Sequence, residues 1–356
     1  MKMVFRWFGE GNDNISLDQI RQIPGVEGAV WSLHDISAGA EWPCSRILEV
    51  KKQCEESGLN IDVVESVNVH EDIKLGLSTR DKYIDNYRKT LKNLSKAGAK
   101  VICYNFMPVF DWIRTDLHKK LSDGSNAMFY DKSELENISS DELINRILES
   151  SGNFTIPGWE PERLSVIKNT FKAYEGFTEE KLWSNLEYFL KCIISVAEEY
   201  GIKMAIHPDD PPWSLFGLPR IVSNRNNIKK LLSLVDSEYN GLTLCSGSLG
   251  SNKENNIPEL VREFGKRIHF AHIRNVRIYD NGNFIETSHR TKDGSLDIYE
   301  ILKAYYEVGF DGYVRPDHGR HIWGEETRCR PGYGLYDRAL GIMYILGIWD
   351  AITRNK

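Results

Sequence analysis

Strand-like and helix-like segments alternate along this chain with a regularity that few architectures can absorb. Val4–Phe8 and Gly28–Leu33 read as strands, Cys44–Gly58 as a helix closed by Gly58, and Ile61–Glu65 as a third strand. Thr79–Ala97 is a long helix with Gly98 after it, and Lys100–Asn105 is a fourth strand. After a break the rhythm resumes with helix Glu179–Tyr200, strand Ile202–His207, helix Asn224–Val235 and strand Gly241–Cys245. Helix Ile257–Phe264, strand Arg267–His272, helix Leu296–Val308, strand Gly312–Arg315 and helix Leu335–Ile352 complete the chain. Strands mostly followed by helices predict a parallel sheet, and eight such units predict an α/β fold, a closed (β/α)8 TIM barrel. An open doubly wound sheet is the rival. It would carry a glycine-rich phosphate turn after its first strand, whereas Gly9-Glu10-Gly11-Asn12 has no third glycine in place.

Two stretches interrupt the pattern. From Met107 to about Thr178 there is no steady period, which reads as an insertion after strand four carrying one or two short helices. Arg277–Glu286, with Asp280-Asn281-Gly282 as its turn, reads as a small hairpin after strand seven. The 356 residues are expected to form one TIM-barrel domain, 1–356, with the insertion at about 107–178.

A net charge of −6 without a basic run speaks against a nucleic-acid partner, which needs concentrated positive charge. Met1–Asn14 lacks the apolar core of a signal peptide, and Leu340–Trp349 is too short to span a bilayer. A soluble cytoplasmic protein without membrane association is expected; homo-oligomer formation is left open. The six cysteines show no paired close spacing, so neither a zinc finger nor a disulfide framework is indicated, and reduced thiols are expected.

In a barrel, chemistry belongs at the carboxyl ends of the strands. Those positions hold His207 after strand five, Cys245 after strand six, His272 after strand seven and Asp317 after strand eight. Two imidazoles, a thiol and a carboxylate each offer a lone pair once deprotonated, and together they form a metal-ligand set. Strand parity agrees: Ala205 shares a face with His207, Thr243 with Cys245, and Arg315 with Asp317, while the opposite faces are greasier. His269 and His272 have opposite parity, and His272 lies at the strand's end. Singly, such a histidine is often structural and such a cysteine usually a small buried hydrophobe; the conjunction at four consecutive strand ends points to a metal.

Further motifs occur in order along nearly the whole chain. They include Phe5-Arg6-Trp7-Phe8-Gly9, Leu33-His34-Asp35, Tyr104-Asn105-Phe106-Met107-Pro108 with Asp111-Trp112, and Ala205 to Pro212. The turn Leu244-Cys245-Ser246-Gly247-Ser248, the run His269 to Asn275, Arg315-Pro316-Asp317-His318-Gly319 and Pro331-Gly332-Tyr333 follow. In these motifs the chain resembles the mannonate dehydratase family, whose fold is an aldose-isomerase-like barrel. The resemblance implies one Mn2+ or Fe2+ per chain on His207, Cys245, His272 and Asp317, with acid–base residues at His318 and Tyr333. It implies D-mannonate, a small sugar acid of glucuronate catabolism, as the substrate and 2-keto-3-deoxy-D-gluconate as the product. Nothing is carried over between Phe129 and about Gly176.

The residues suit that reaction. Removing the C2 proton beside a carboxylate creates a very unstable carbanion, and a divalent ion at the carboxylate would spread its charge. A thiolate among harder ligands tolerates iron, manganese or zinc better than magnesium. Arg6, Arg274, Arg315 and Arg320 are candidates to clamp the carboxylate, and His34 and Asn105 to bind hydroxyls. His318 has the wrong parity to share the face of Asp317 if the strand continues, although Gly319 allows a turn there. The alternatives are a metal-dependent sugar isomerase or epimerase on the same barrel, and a non-catalytic sugar-acid binding protein. A phosphate-cradling loop at Cys245–Gly250 would leave both histidines as coincidences.

Overall fold

The computed structural model describes residues 1–150 and 161–354, and the alternation resolves into a closed barrel. Its strands are Lys2–Arg6, Val26–Trp31, Asn60–Glu65, Val101–Tyr104, Lys203–Ile206, Asn240–Cys245, Ile268–His272 and Tyr313–Arg315. Each pairs in parallel with the next, and the last closes on the first. The expected (β/α)8 barrel is therefore present, with strand boundaries within two residues of those expected.

Side-chain alternation builds the layers. Val4, Val30, Val63, Val101, Ala205 and Phe270 cluster with Cys103 and Tyr313 as an inner core. Their sequence neighbours Met3, Phe5, Ile102, Met204, Ile206 and Ala271 join the larger core shared with the helices. Helix Arg80–Ala97 buries Ile84, Tyr87, Leu91 and Leu94, the spacing of one helical face, and ends on Gly98 at φ +93°. Helix Glu179–Tyr200 begins at Thr178, whose hydroxyl accepts the N–H of Lys181, and buries Leu186, Phe189, Leu190 and Ile193.

The insertion after strand four is richer than expected. It contains helices Lys132–Asn137, Ser140–Ser150 and Pro161–Ala173, and also a hairpin of Asp116–Lys120 with Asn126–Tyr130. This hairpin pairs with the later one, Val276–Ile278 and Phe284–Glu286, in a four-stranded antiparallel sheet. Two things hid the earlier hairpin. Its edge strand Asp-Leu-His-Lys-Lys turns its lysines to water and shows no clean period of two. Its partner strand also comes from far along the chain, so local propensity says little about it. Residues 151–160, within the stretch where no family match was carried over, lie outside the described residues. The sheet and helices enclose a second apolar core, in which the Tyr130 and Phe284 rings stack at 5.0 Å. Both excursions leave the barrel at the carboxyl ends of strands, so this core sits beside the mouth.

Candidate functional site

The four strand-end residues converge. His207, Cys245, His272 and Asp317 present ligand atoms that all lie within 4.8 Å of one another. Ligands on a single ion with bonds of roughly 2.0–2.3 Å stand about 3–4.5 Å apart, so a small contraction completes the shell. His269 is not in the group, as its parity requires.

Each candidate ligand is set by its surroundings. His207 Nδ1 lies 2.7 Å from the Pro208 carbonyl. A carbonyl only accepts, so Nδ1 carries a proton, and Nε2 is the nitrogen left to face the cluster. Burial alone would lower the pKa of His207, but the hydrogen bond and charge of Cys245, with Asp317 and Glu65 behind them, raise it to about 9. The site thus favours a positive charge at its centre. Cys245 Sγ accepts from the Ser248 hydroxyl at 3.1 Å and from its N–H at 3.4 Å, and lies 3.3 Å from Asp317 Oδ2. His272 is fully buried, and its Nδ1 has no hydrogen-bond partner among the described residues. Burial and the nearby Arg315 guanidinium hold its pKa well below the usual value, so the ring is neutral. Its Nε2 accepts from Arg315 Nε at 2.9 Å and stands 3.4 Å from Glu65 Oε1, which fixes the ring with Nδ1 turned to the cluster. Against the cost of burial, His318, Arg315, His272 and Arg274 hold the Asp317 carboxyl well below the usual range. An orphaned buried imidazole nitrogen and a donor set of this chemistry fit a divalent metal ion.

One cavity brings most of the remaining candidates to this cluster. Arg6, Asn105, Arg315, His318 and Tyr333 line it together with His207 and Asp317. Arg315 holds Glu65 through Nε at 3.0 Å and Asp317 through Nη2 at 2.8 Å. Its Nη1 is buried with no hydrogen-bond partner among the described residues, a donor left for whatever enters. His318 reaches the cavity because Asp317 takes φ +50°, the left-handed region that aspartate tolerates. The parity obstacle therefore disappears two residues earlier than expected, at Asp317 and not at Gly319. His318 Nε2 then lies 3.0 Å from the Tyr333 hydroxyl. Trp112 packs edge-on to His318 and Phe8 edge-on to Tyr333. The two loops are tied by a hydrogen bond from Gly319 N–H to the Gly332 carbonyl at 2.9 Å.

Three candidates are placed elsewhere. His34 lines a neighbouring groove and touches the cavity residue Arg6, whose Nη2 is 3.0 Å from its Nε2. Arg274 does not line the cavity. It is buried with its guanidinium spent on Asp210 and Glu286 at 2.5 Å each and on Asp317 at 2.7 Å. Arg320 pairs with Asp337 at 2.8 Å and Asp123 at 3.1 Å, on another groove. Neither arginine has a free edge facing the cavity, because carboxylates of the chain already occupy it.

Sequence reasoning missed Glu65, Asp210, Glu286 and Arg114, all buried around the site. Arg114 makes a bidentate pair with Asp210 at 2.8 and 3.1 Å and reaches Glu286 at 2.7 Å. Asp210 stands in the His-Pro-Asp-Asp-Pro-Pro run and had a signal; Glu286, on a short hairpin strand, had none.

Fold and site together define a (β/α)8-barrel enzyme whose mouth carries four side chains that could hold a divalent metal ion. At the level of fold, the D-allulose 3-epimerase of a Methylomonas species superposes with a TM-score of 0.56 at 10% identity, covering 98% of each chain. A crystal structure of mannonate dehydratase from Streptococcus suis serotype 2 is far nearer, with TM-score 0.89 and 43% identity over 100% of this chain and 95% of that one. Mannonate dehydratase 1 of Halalkalibacterium halodurans is 65% identical across 100% of this chain and 98% of its own length. The mannonate dehydratase of Thermotoga maritima is 59% identical across 100% and 99%. The D-mannonate dehydratase (UxuA) family model matches residues 1–356, and the chain belongs to that family. Its activity is that of a hydro-lyase acting on a small sugar acid, which sets aside the isomerase and binding-protein alternatives. Among the described residues no helix is long and apolar enough to cross a membrane.

Proposed function

We propose that His207, Cys245, His272 and Asp317 hold one Mn2+ or Fe2+ per chain, and that His318 and Tyr333 move the protons of D-mannonate dehydration. The observation that carries this reading is the 3.0 Å contact between His318 Nε2 and the Tyr333 hydroxyl, in the cavity that His207 and Asp317 also line. When bound, the ion supplies Lewis-acid stabilisation of the negative charge that develops beside the substrate carboxylate.

Burial pushes the Tyr333 phenol above its usual pKa although Arg315 pulls it down, so it stays protonated at neutral pH and acts as donor. His318 Nε2 accepts the C2 proton, and the C2–H electron pair becomes the C2=C3 bond as the C3–O bond breaks. Tyr333 protonates the departing hydroxyl, which leaves as water, and the resulting enol rearranges to the 2-keto acid. His318 then returns its proton to Tyr333 across their contact, so the pair is reset. Arg6 and the unpaired Nη1 of Arg315 bind the substrate carboxylate, and Asn105 binds a hydroxyl. His34 acts through Arg6 by fixing its guanidinium. Six free cysteines suit a reducing, cytoplasmic setting.

The test is an assay for the 2-keto-3-deoxy product with metal-stripped protein, a panel of divalent ions and a panel of hexonates. Restoration by manganese or iron with mannonate preferred is expected. Restoration by magnesium alone would remove the thiolate-containing site.

A further inference from the structure

We propose that Glu286 is a positioning residue for the acid–base pair: by accepting the Nδ1–H of His318, it leaves Nε2 as the proton acceptor that faces Tyr333. This rests on the reading of His318 and Tyr333 as the proton-transfer pair. Glu286 Oε1 lies 3.4 Å from His318 Nδ1, at the long end for a hydrogen bond, while His318 Nε2 faces the Tyr333 hydroxyl at 3.0 Å. The imidazole is therefore bracketed by a carboxylate on one nitrogen and a phenol on the other. A carboxylate can only accept, so the proton of a neutral ring is drawn to Nδ1. The logic is that of the buried aspartate in a serine-protease triad, which fixes tautomer and orientation without itself taking the proton.

Glu286 is equipped to stay an acceptor. Arg274 Nη1 at 2.5 Å and Arg114 Nη2 at 2.7 Å both donate to Oε1. Burial would raise its carboxyl, but Arg274 and Arg114 hold it at about 2. Oε2 is buried with no hydrogen-bond partner among the described residues, so the carboxylate meets no proton donor beyond Oε1. The scaffold behind it is firm. Arg274 is held to the residue just after strand six, its N–H donating to Ser246 Oγ at 2.9 Å and its carbonyl accepting from that hydroxyl at 2.7 Å. The same Arg274 reaches the ligand Asp317 at 2.7 Å, so one guanidinium sets the spacing between the metal ligand and the support of His318. The hairpin after strand seven thus delivers a residue that the barrel strands do not supply.

Two measurements test this. Histidine-selective 15N NMR of the protein loaded with diamagnetic zinc reads the His318 tautomer, assigned by the signal lost in His318→Asn. Nδ1 is expected to be the protonated nitrogen and Nε2 the bare one. Glu286→Gln keeps the shape but offers an amide donor that favours the opposite tautomer. It is expected to lower kcat by on the order of a hundredfold or more, with KM and metal content within a fewfold of the parent. Glu286→Asp, which restores the acceptor at shorter reach, is expected to recover part of the loss. A proton on Nε2 in the parent, or a Glu286→Gln enzyme within a fewfold of parent kcat, overturns the proposal. If Glu286→Gln does not fold, the parent spectrum decides alone. Should Tyr333→Phe and His318→Asn both keep parent turnover, the acid–base reading fails separately, whatever the tautomer.

Discussion

His318 and Tyr333 are fifteen positions apart, and their side chains meet at 3.0 Å only because two residues sit at positive φ. Asp317 at +50° swings His318 inward from the end of strand eight, and Gly332 at +79° turns the returning loop so that Tyr333 faces it. Asp317 and His318, the proposed metal ligand and the proposed proton-transfer residue, are consecutive in sequence, an order that would put one group at the ion and the next beside the substrate carbon. Fixing both on one short segment limits the freedom that must be lost when substrate is bound.

Tyr333→Phe separates chemistry from packing. It keeps the ring against Phe8 and deletes only the hydroxyl that meets His318. The loss is expected in kcat, by about a hundredfold or more, with metal content and Tm near the parent. A purified, metal-loaded Tyr333→Phe that turns over mannonate within a fewfold of parent would leave His318 to act alone.

Removing the metal is expected to abolish turnover and lower Tm, because an ion that binds only the folded state stabilises it by mass action. Cys245→Ser is expected to weaken metal affinity, measured by competition with a chromophoric chelator, far more than Cys192→Ser. Cys192 lies within helix Glu179–Tyr200 and belongs to no ligand cluster among the described residues. Equal effects would take Cys245 out of the shell.

Much of this was legible in the sequence because barrel periodicity is local. Parity along Lys203–Ile206 and Asn240–Cys245 puts Ala205 inward and Leu242 and Leu244 outward by geometry alone, so the strand ends are readable. What failed depended on partners distant in sequence. Asp116–Lys120 becomes a strand only because Asn126–Tyr130 is itself paired to Phe284–Glu286. Arg274 follows the strand-seven end by two residues and looks like a substrate clamp until Asp210 and Glu286 arrive from elsewhere to occupy it. Charge identity is visible in a sequence; whether a charge is already paired is not.

The buried carboxylate Glu286 ties stability to acid pH. Its pKa is held at about 2, below the 4.5 of an unperturbed glutamate, chiefly by Arg274 and Arg114 acting against burial. It therefore contributes stability in full above about pH 4.5, and that contribution fades as pH falls towards 2. The linked free energy is on the order of 3 kcal/mol. Plotted against pH, Tm of the parent is expected to fall more steeply over this window than Tm of Glu286→Gln, which should start lower and run flatter. Parallel curves would show that Glu286 is not a source of the acid limb.

Gly332→Ala tests whether the turn that presents Tyr333 is needed for chemistry beyond its cost in strain. The position has φ +79°, and an added Cβ would meet Met128 Cε at 2.5 Å and His318 Cγ at 3.4 Å. The left-handed backbone alone costs about 1 kcal/mol for a residue with a Cβ. Gly98, which ends helix Arg80–Ala97 at φ +93°, supplies the control, since nothing lies within 4 Å of its added Cβ. Gly98→Ala is expected to lower Tm by roughly 2–4 °C and leave kcat unchanged. Gly332→Ala is expected to lower Tm by at least as much. It is also expected to lower kcat severalfold or more, because Met128 must move or the loop must rotate Tyr333 away from His318. If the two variants lose the same stability and both keep parent kcat, the placement of Tyr333 tolerates the shift, and its 3.0 Å contact with His318 is not rate-determining.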